Sequence, residues 1–326
     1  MSNIKDVAKK AGVGIATVSR VVNKTGPVKK ETREKIEAVI IELGYKPNEI
    51  ARSMIKQKTK MVAFVVPHSN HIFFSELIYY VDLALLGHGY KLMVCNSGSS
   101  RERELELITM LTNNRVDGLI FLTSNDIEGY LPKGYPIVSF DRRFKDVPFV
   151  ASDNYEGGRL AAKTLIDSGA KRLLFIGDDA QGELSQITTE VSKRRRGFVD
   201  YLNQVGHMDY KIIEYPQGDL FIPKNYIHET ILKHLDYDGI FAISDQLAYE
   251  IIMSLKSSHI KIPKDIKIIG YDGIEGAINT GISLTSIAQP IELLAQSMVD
   301  SLMDMVEKKV VSDKILPVSL KRGESL

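Results

Sequence analysis

Cysteine is nearly absent from this chain of 326 residues, which carries only Cys95. An intrachain disulfide and any cysteine-based zinc finger are therefore excluded. Cys95 lies in the apolar run from Lys91, where a buried strand residue is expected. Long apolar stretches are lacking too: none approaches the roughly 18 residues of a membrane span. The opening Met1-Ser2-Asn3-Ile4-Lys5-Asp6 has no apolar signal-peptide core. A soluble, cytoplasmic protein without membrane contact is the expectation. No glycine fingerprint of a phosphate loop or dinucleotide fold follows any apolar run. The seven histidines are scattered, and His68 with His71 makes no credible metal site. No cofactor, metal or catalytic group is expected, so most of the chain reads as a binder and not an enzyme.

Net charge is also scarce at +1, but this near-neutrality is a sum of opposites. Residues 1–60 hold 14 Lys and Arg against 6 Asp and Glu, and the remainder holds 28 against 35. A basic head on an acidic body suggests that the head alone meets a polyanion. The length calls for two or three compact units.

Within the head, Ile4, Val7, Ala8 and Ala11 fall on one face of a short helix that Gly12 stops. A second helix is predicted from Ile15 to Asn23, with Val18, Val21 and Val22 inward. A third, roughly Thr32–Leu43, carries Ile36, Val39, Ile40 and Leu43 and ends at Gly44. Three such helices, the first two joined by a glycine-containing turn, form a helix-turn-helix unit. The second helix of such a unit enters the major groove with its N-terminal side chains toward base edges. Those side chains are Ile15 and Ala16, followed by Arg20 one turn on. Arg20 suits a bidentate contact with guanine, whereas Ile15 and Ala16 can only touch thymine methyls or exclude larger groups. Thr17, Ser19 and Asn23 suit phosphate contacts, which fix register without reading sequence.

From Met61 onward apolar runs alternate with amphipathic segments. Buried strands are predicted at 61–66, 91–95, 118–122, 136–140, 172–177, 239–243 and 266–271, and helices near 74–88, 101–114, 155–168, 193–205, 224–235 and 246–257. This alternation implies parallel sheets covered by helices, with ligands at the carboxyl ends of the strands.

The strings Ile4-Lys5-Asp6-Val7-Ala8, Ala11-Gly12-Val13, Thr17-Val18-Ser19-Arg20-Val21-Val22-Asn23, Thr32-Arg33-Glu34-Lys35-Ile36, Leu43-Gly44-Tyr45-Lys46-Pro47-Asn48 and Ala51-Arg52-Ser53 together resemble the head of the lactose-repressor (LacI/GalR) family. In the body, Arg115-Val116-Asp117-Gly118-Leu119-Ile120, Asp153-Asn154 with Gly157-Gly158, Gly197-Phe198, Ile269-Gly270-Tyr271-Asp272 and Gln289-Pro290 resemble the family's sugar-binding core. Two departures are Gly14 and Lys29, which stand where the family usually has Ser.

The resemblance implies an all-α helix-turn-helix head (1–46), a hinge helix or linker (47–60), and a two-lobed periplasmic-binding-protein-like α/β core (61–326) with parallel sheets. The lobes would comprise approximately 61–159 with 290–318, and 160–289 with 319–326. The hinge would begin at Asn48, a helix cap, and carry Ala51 and Met54 toward DNA. Met54 stands where the family inserts a Leu between base pairs, and its apolar, unbranched side chain suits that task. By position the family's effector pocket falls on Phe73, Asp141, Asn154, Arg194, Leu220, Asp245, Asp272 and Gln289. Arg195 and Arg196 are alternatives to Arg194, and a turn, cap or core role is equally open for Asp141, Asp153 and Leu220.

The partners implied are a pseudo-palindromic double-stranded DNA operator, a monosaccharide or derivative as effector, and a second copy of the chain. No leucine-heptad tail closes the sequence, so a homodimer and not a tetramer is expected. The function expected is a repressor of a carbohydrate-use operon. A purine, nucleoside or partner protein as effector, or a sugar receptor without regulatory role, are the alternatives.

Overall fold

In the computed structural model the described residues are 2–45, 58–178, 189–215, 224–274 and 280–326. Asn48, Ala51, Met54 and Leu220 lie outside them. The chain divides into two compact units, Met1–Thr59 and Lys60–Leu326.

The smaller unit holds α1 (Ile4–Ala11), α2 (Ile15–Asn23) and α3 (Lys30–Glu42). Asn3 caps α1, its Oδ1 accepting from the Lys5 and Asp6 amides, while Asp6 accepts from the Asn3 amide in return. This reciprocal box satisfies amide donors that the first helical turn leaves open. Gly12 ends α1 in the left-handed conformation, with φ at 66°. Gly14 caps α2 without a side-chain hydrogen bond, the consequence expected of the missing Ser. Val7, Ala8, Ala11, Val18, Val21, Ile36 and Val39 form the buried core, with Ile4, Val22, Ile40 and Leu43 half-buried around it.

The larger unit contains two six-stranded sheets among the described residues. The first lobe comprises β1 (Met61–Val66), α4 (Ile72–Gly87), β2 (Lys91–Asn96), α5 (Arg101–Thr112), β3 (Gly118–Phe121), β4 (Ile137–Phe140) and β5 (Phe149–Ser152). The second comprises α6 (Asn154–Asp167), β6 (Leu173–Asp178), α7 (Lys193–Gln204), β7 (Tyr210–Tyr215), α8 (Lys224–Leu232), β8 (Gly239–Ala242), α9 (Asp245–Ser257), β9 (Lys267–Asp272) and β10 (Thr285–Ala288). The chain then returns to the first lobe through α10 (Ile291–Val306) and β11 (Lys314–Leu316), and ends in the second with β12 (Ser319–Lys321). Strand order is β11-β5-β4-β3-β1-β2 in the first sheet and β12-β10-β9-β8-β6-β7 in the second. All pairings are parallel except β12 with β10.

All seven expected strands form. The five that periodicity did not disclose are β5, β7, β10, β11 and β12; of these, β7, β11 and β12 lie at sheet edges and β11 and β12 are three residues long. Helix α10 was also not expected, although it buries Leu294, Ala295, Met298, Val299, Leu302 and Met303 on one face. Cys95 corrects the expectation of burial. It sits in a strand, but β2 is the edge of its sheet and leaves Cys95 half-buried.

The parallel order brings the carboxyl ends of both sheets' strands to one cleft between the lobes. In each sheet the order reverses beside the first strand of its lobe, β1 or β6, and such switch points are where open parallel sheets hold ligands.

Candidate functional site

Two surfaces matter, one in each unit. On α2 the side chains of Ile15, Ala16 and Arg20 are exposed, while Val18 and Val21 are sealed into the core on the opposite face. Ile15 is 45% exposed, a large apolar side chain held in water beside Ala16. Ser19 and Asn23, one turn apart, are tied by the Asn23 Nδ2 donating to Ser19 Oγ at 3.1 Å. Thr17 is half-buried. The outward face of α2 thus joins an apolar tip, a guanidinium and short polar side chains.

In the larger unit, Asp141, Asn154, Arg194, Asp245, Asp272 and Gln289 all lie at or just beyond strand ends or at helix starts, buried where the two lobes meet. Arg194 is 4% exposed and lies at the centre of the cluster. Its Nε donates to Asn154 Oδ1 at 2.7 Å and its Nη1 to the Ile243 carbonyl at 2.7 Å. The same Nη1 is 3.7 Å from Asp272 Oδ1, and the guanidinium covers the Tyr271 ring 3.6 Å from its centroid. Asn154 donates onward to Asp141 Oδ1 at 3.2 Å. Gln289 bridges the lobes, donating to Asp272 at 2.8 Å and accepting from Ser152 Oγ at 2.8 Å. Asp245, fully buried, accepts from Ser286 Oγ at 2.6 Å and the Ile274 amide at 2.8 Å.

Geometry separates the three consecutive arginines. Arg194 enters the cluster, Arg195 pairs with Glu214 at 2.8 Å, and Arg196 is exposed beside Asp200 at 3.7 Å. Phe73 stands in the first turn of α4, stacked on Phe140 and edge-on to Phe74, so most of its ring is committed to the first lobe's core. Asp153 caps α6 through the Glu156 amide. Asp141 takes a left-handed turn, with φ at 53°, directly after β4.

Burial governs the electrostatics. It pushes Asp141 up to about 7 and Asp272 up to about 6, against the opposing pull of Arg194. Asp245 is raised well above the usual carboxylate range by burial and by the nearby Asp272. His71, at the start of α4, is pushed down to about 4 by burial and by the charge of Arg194. Among the described residues no group of His, Cys, Asp and Glu could hold a metal ion, and no helix is long and apolar enough to cross a membrane.

Several participants escaped the sequence reading: Tyr271 beneath the guanidinium, Ser152 and Gln289's bridge, Ser286 on Asp245, and Gln246, whose Oε1 accepts from the Ile72 amide of the other lobe at 3.4 Å. Tyr271 immediately precedes Asp272, which is the signal that was available.

Comparison with known proteins agrees with this division. Residues 3–48 match the model of bacterial regulatory proteins, lacI family. Residues 59–322 match periplasmic binding proteins and sugar binding domain of LacI family. The chain is 38% identical over 330 residues to a sucrose operon repressor of Streptococcus mutans, covering 100% of each. It is 31% identical over 314 residues to a ribose operon repressor of Bacillus subtilis, covering 96% of this chain and 94% of that protein. Among solved structures, it is similar to a periplasmic binding protein/LacI transcriptional regulator from Alkaliphilus metalliredigens complexed with D-xylulofuranose. That match has 27% identity and a TM-score of 0.72, covering 82% of this chain and 98% of the other.

Proposed function

The chain belongs to the lacI family of bacterial regulatory proteins, and from that premise we propose that it represses a carbohydrate-use operon under control of a small sugar. The observation that carries the sugar reading is the buried interlobe cluster around Arg194, together with relatives named for sucrose and ribose operons. Carboxylates and amide oxygens accept from sugar hydroxyls, amide and guanidinium N–H groups donate to them, and aromatic faces cover the ring's CH groups. Asp141, Asn154, Arg194, Asp245, Asp272 and Gln289 supply the polar set, with Phe73 at its edge; Leu220 belongs to the same assignment by position.

On the DNA side, the exposed α2 face supports Arg20 as base reader, Ile15 and Ala16 as apolar contacts, and Thr17, Ser19 and Asn23 on phosphates. Residues 47–60, with Asn48, Ala51 and Met54, would join this face to the cleft as the hinge. A homodimer fits the exposed apolar side chains Tyr79, Leu83 and Leu86, spaced one turn apart on α4 in the lobe whose edge strand leaves Val94 exposed. Two heads so related would meet a pseudo-palindromic operator with half-sites about one helical turn apart. The sugar would act by binding the operator-competent and operator-released arrangements of the lobes with different affinity, which is all that linkage requires.

Asp272→Asn tests the pocket with little change of volume. The variant is expected to bind operator normally in a fluorescence-anisotropy titration and to lose its response to sugar. A normal response would overturn the placement of the pocket.

A further inference from the structure

Resting on the sugar reading above, we infer that the effector is an uncharged sugar and that the cleft excludes its phosphate esters. The described cluster sets three buried carboxylates, Asp141, Asp245 and Asp272, against one buried cation, Arg194. Two of that cation's three nitrogens are already engaged: Nε by Asn154, and Nη1 by the Ile243 carbonyl and Asp272. The other cations around the cleft have work elsewhere. Arg142 donates to the Asn125 carbonyl and lies over Phe144. Arg143 pairs with Glu190 at 3.0 Å and Asp313 at 3.2 Å, and Lys193 pairs with Glu190 at 2.6 Å. Lys321 donates to the Gly273 carbonyl at 3.0 Å. His71, held near 4, is neutral at physiological pH.

A buried phosphate dianion needs cations or several amide donors to replace its water. Here it would enter a site so stripped of water that burial already holds Asp141 and Asp272 above the usual carboxylate range, against the pull of Arg194. Hydroxyls meet no such penalty. They donate to whichever carboxylates are ionised and accept from the second N–H of the Gln289 amide and from any carboxyl that retains its proton. Exclusion by unpaired like charge is the more effective part of such discrimination, because a buried repulsion has no solvent to screen it.

Thermal shift and calorimetric titration of the full chain test this. The probes are sucrose, D-fructose and D-ribose, each paired with its monophosphate ester at constant ionic strength and neutral pH. One free sugar is expected to raise Tm, with its ester binding at least about tenfold more weakly. An ester that binds as tightly as its parent, or more tightly, overturns the inference and leaves the sugar-controlled reading standing. If no sugar and no ester binds, the sugar reading itself fails and the inference falls with it. Asp141→Asn supplies an independent arm: removing one carboxylate should narrow the sugar-to-ester ratio, and an unchanged ratio counts against the electrostatic origin.

Discussion

Arg20 projects from a helix whose neighbouring outward side chains, Ile15 and Ala16, have no side-chain hydrogen-bonding group. On the proposed assignment, base discrimination by α2 would rest heavily on one guanidinium, worth about 1–3 kcal/mol at a guanine. Arg20→Ala is expected to relax preference at a single base position in each half-site, leaving the other positions ranked as before. Binding to a panel of operator variants measures this, and an unchanged ranking at every position would refute the assignment. In the cleft, the residue-scale prediction concerns protons. Asp141 titrates near 7 in the folded chain and near 4 when unfolded. The folded state thus retains a proton that the unfolded chain has released, so this contribution is present at low pH and is lost as pH rises through about 7. His71 opposes it, because holding a neutral imidazole costs stability as pH falls below about 6.5. The two separate in a difference measurement. Relative to the parent, Asp141→Asn should gain on the order of 2 kcal/mol between about pH 5 and pH 8 in urea melts. A difference constant with pH would contradict the buried carboxyl. The places of Asp245, at the start of α9 just beyond β8, and Asp272, at the end of β9, follow from the alternation of strands and helices. The choice of Arg194 over Arg195 and Arg196 does not, because only the orientation of α7 decides which of three adjacent guanidinium groups turns inward.

The helices of the head were readable because each has a single apolar face and a glycine or polar residue at its ends. The strands of the body were readable where an apolar run is buried on both faces, as in β1, β3 and β8, and silent where the strand is three residues long at a sheet edge, as in β11 and β12. Helix α10 had the pattern but no flanking signal beyond Pro290, and its apolar stripe is broadened by methionines. One element-scale feature positions the site. Helices α6 and α7 approach so closely that a Cβ on Gly158 would lie 1.9 Å from the Arg194 carbonyl oxygen, and one on Gly197 1.9 Å from that of Tyr155. These contacts are backbone on both sides, so neither helix can yield by rotating a side chain. The pair of glycines sets the depth at which α7 delivers Arg194 to Asn154. Gly158→Ala should therefore destabilise the core by about 1–3 kcal/mol, as overpacking does. It should also weaken sugar binding, read by calorimetry below the melting transition. Stability lost with sugar affinity intact would show that the close approach serves packing alone.

At the scale of the molecule, the division of labour follows the charge. The basic 60-residue head carries the exposed face of α2, and the acidic body carries the buried polar cluster around Arg194. The body's two sheets, three chain crossings and shared cleft came from the alternation of strands and helices only in outline; the crossings depend on β11 and β12, each three residues long. The cleft is bridged between lobes at Ser152–Gln289, Ile72–Gln246 and Arg143–Glu190, so a change in lobe angle must break or remake these bonds. A sugar that settles among them would bias that angle, and with it the pairing of two heads on DNA. The most direct test is selection of bound sequences from random duplex DNA by the full-length protein, followed by titration of the selected site with sugars. The account predicts enrichment of a pseudo-palindrome whose occupancy one uncharged sugar changes. Absence of any enriched sequence, or an occupancy that no sugar alters, would contradict it.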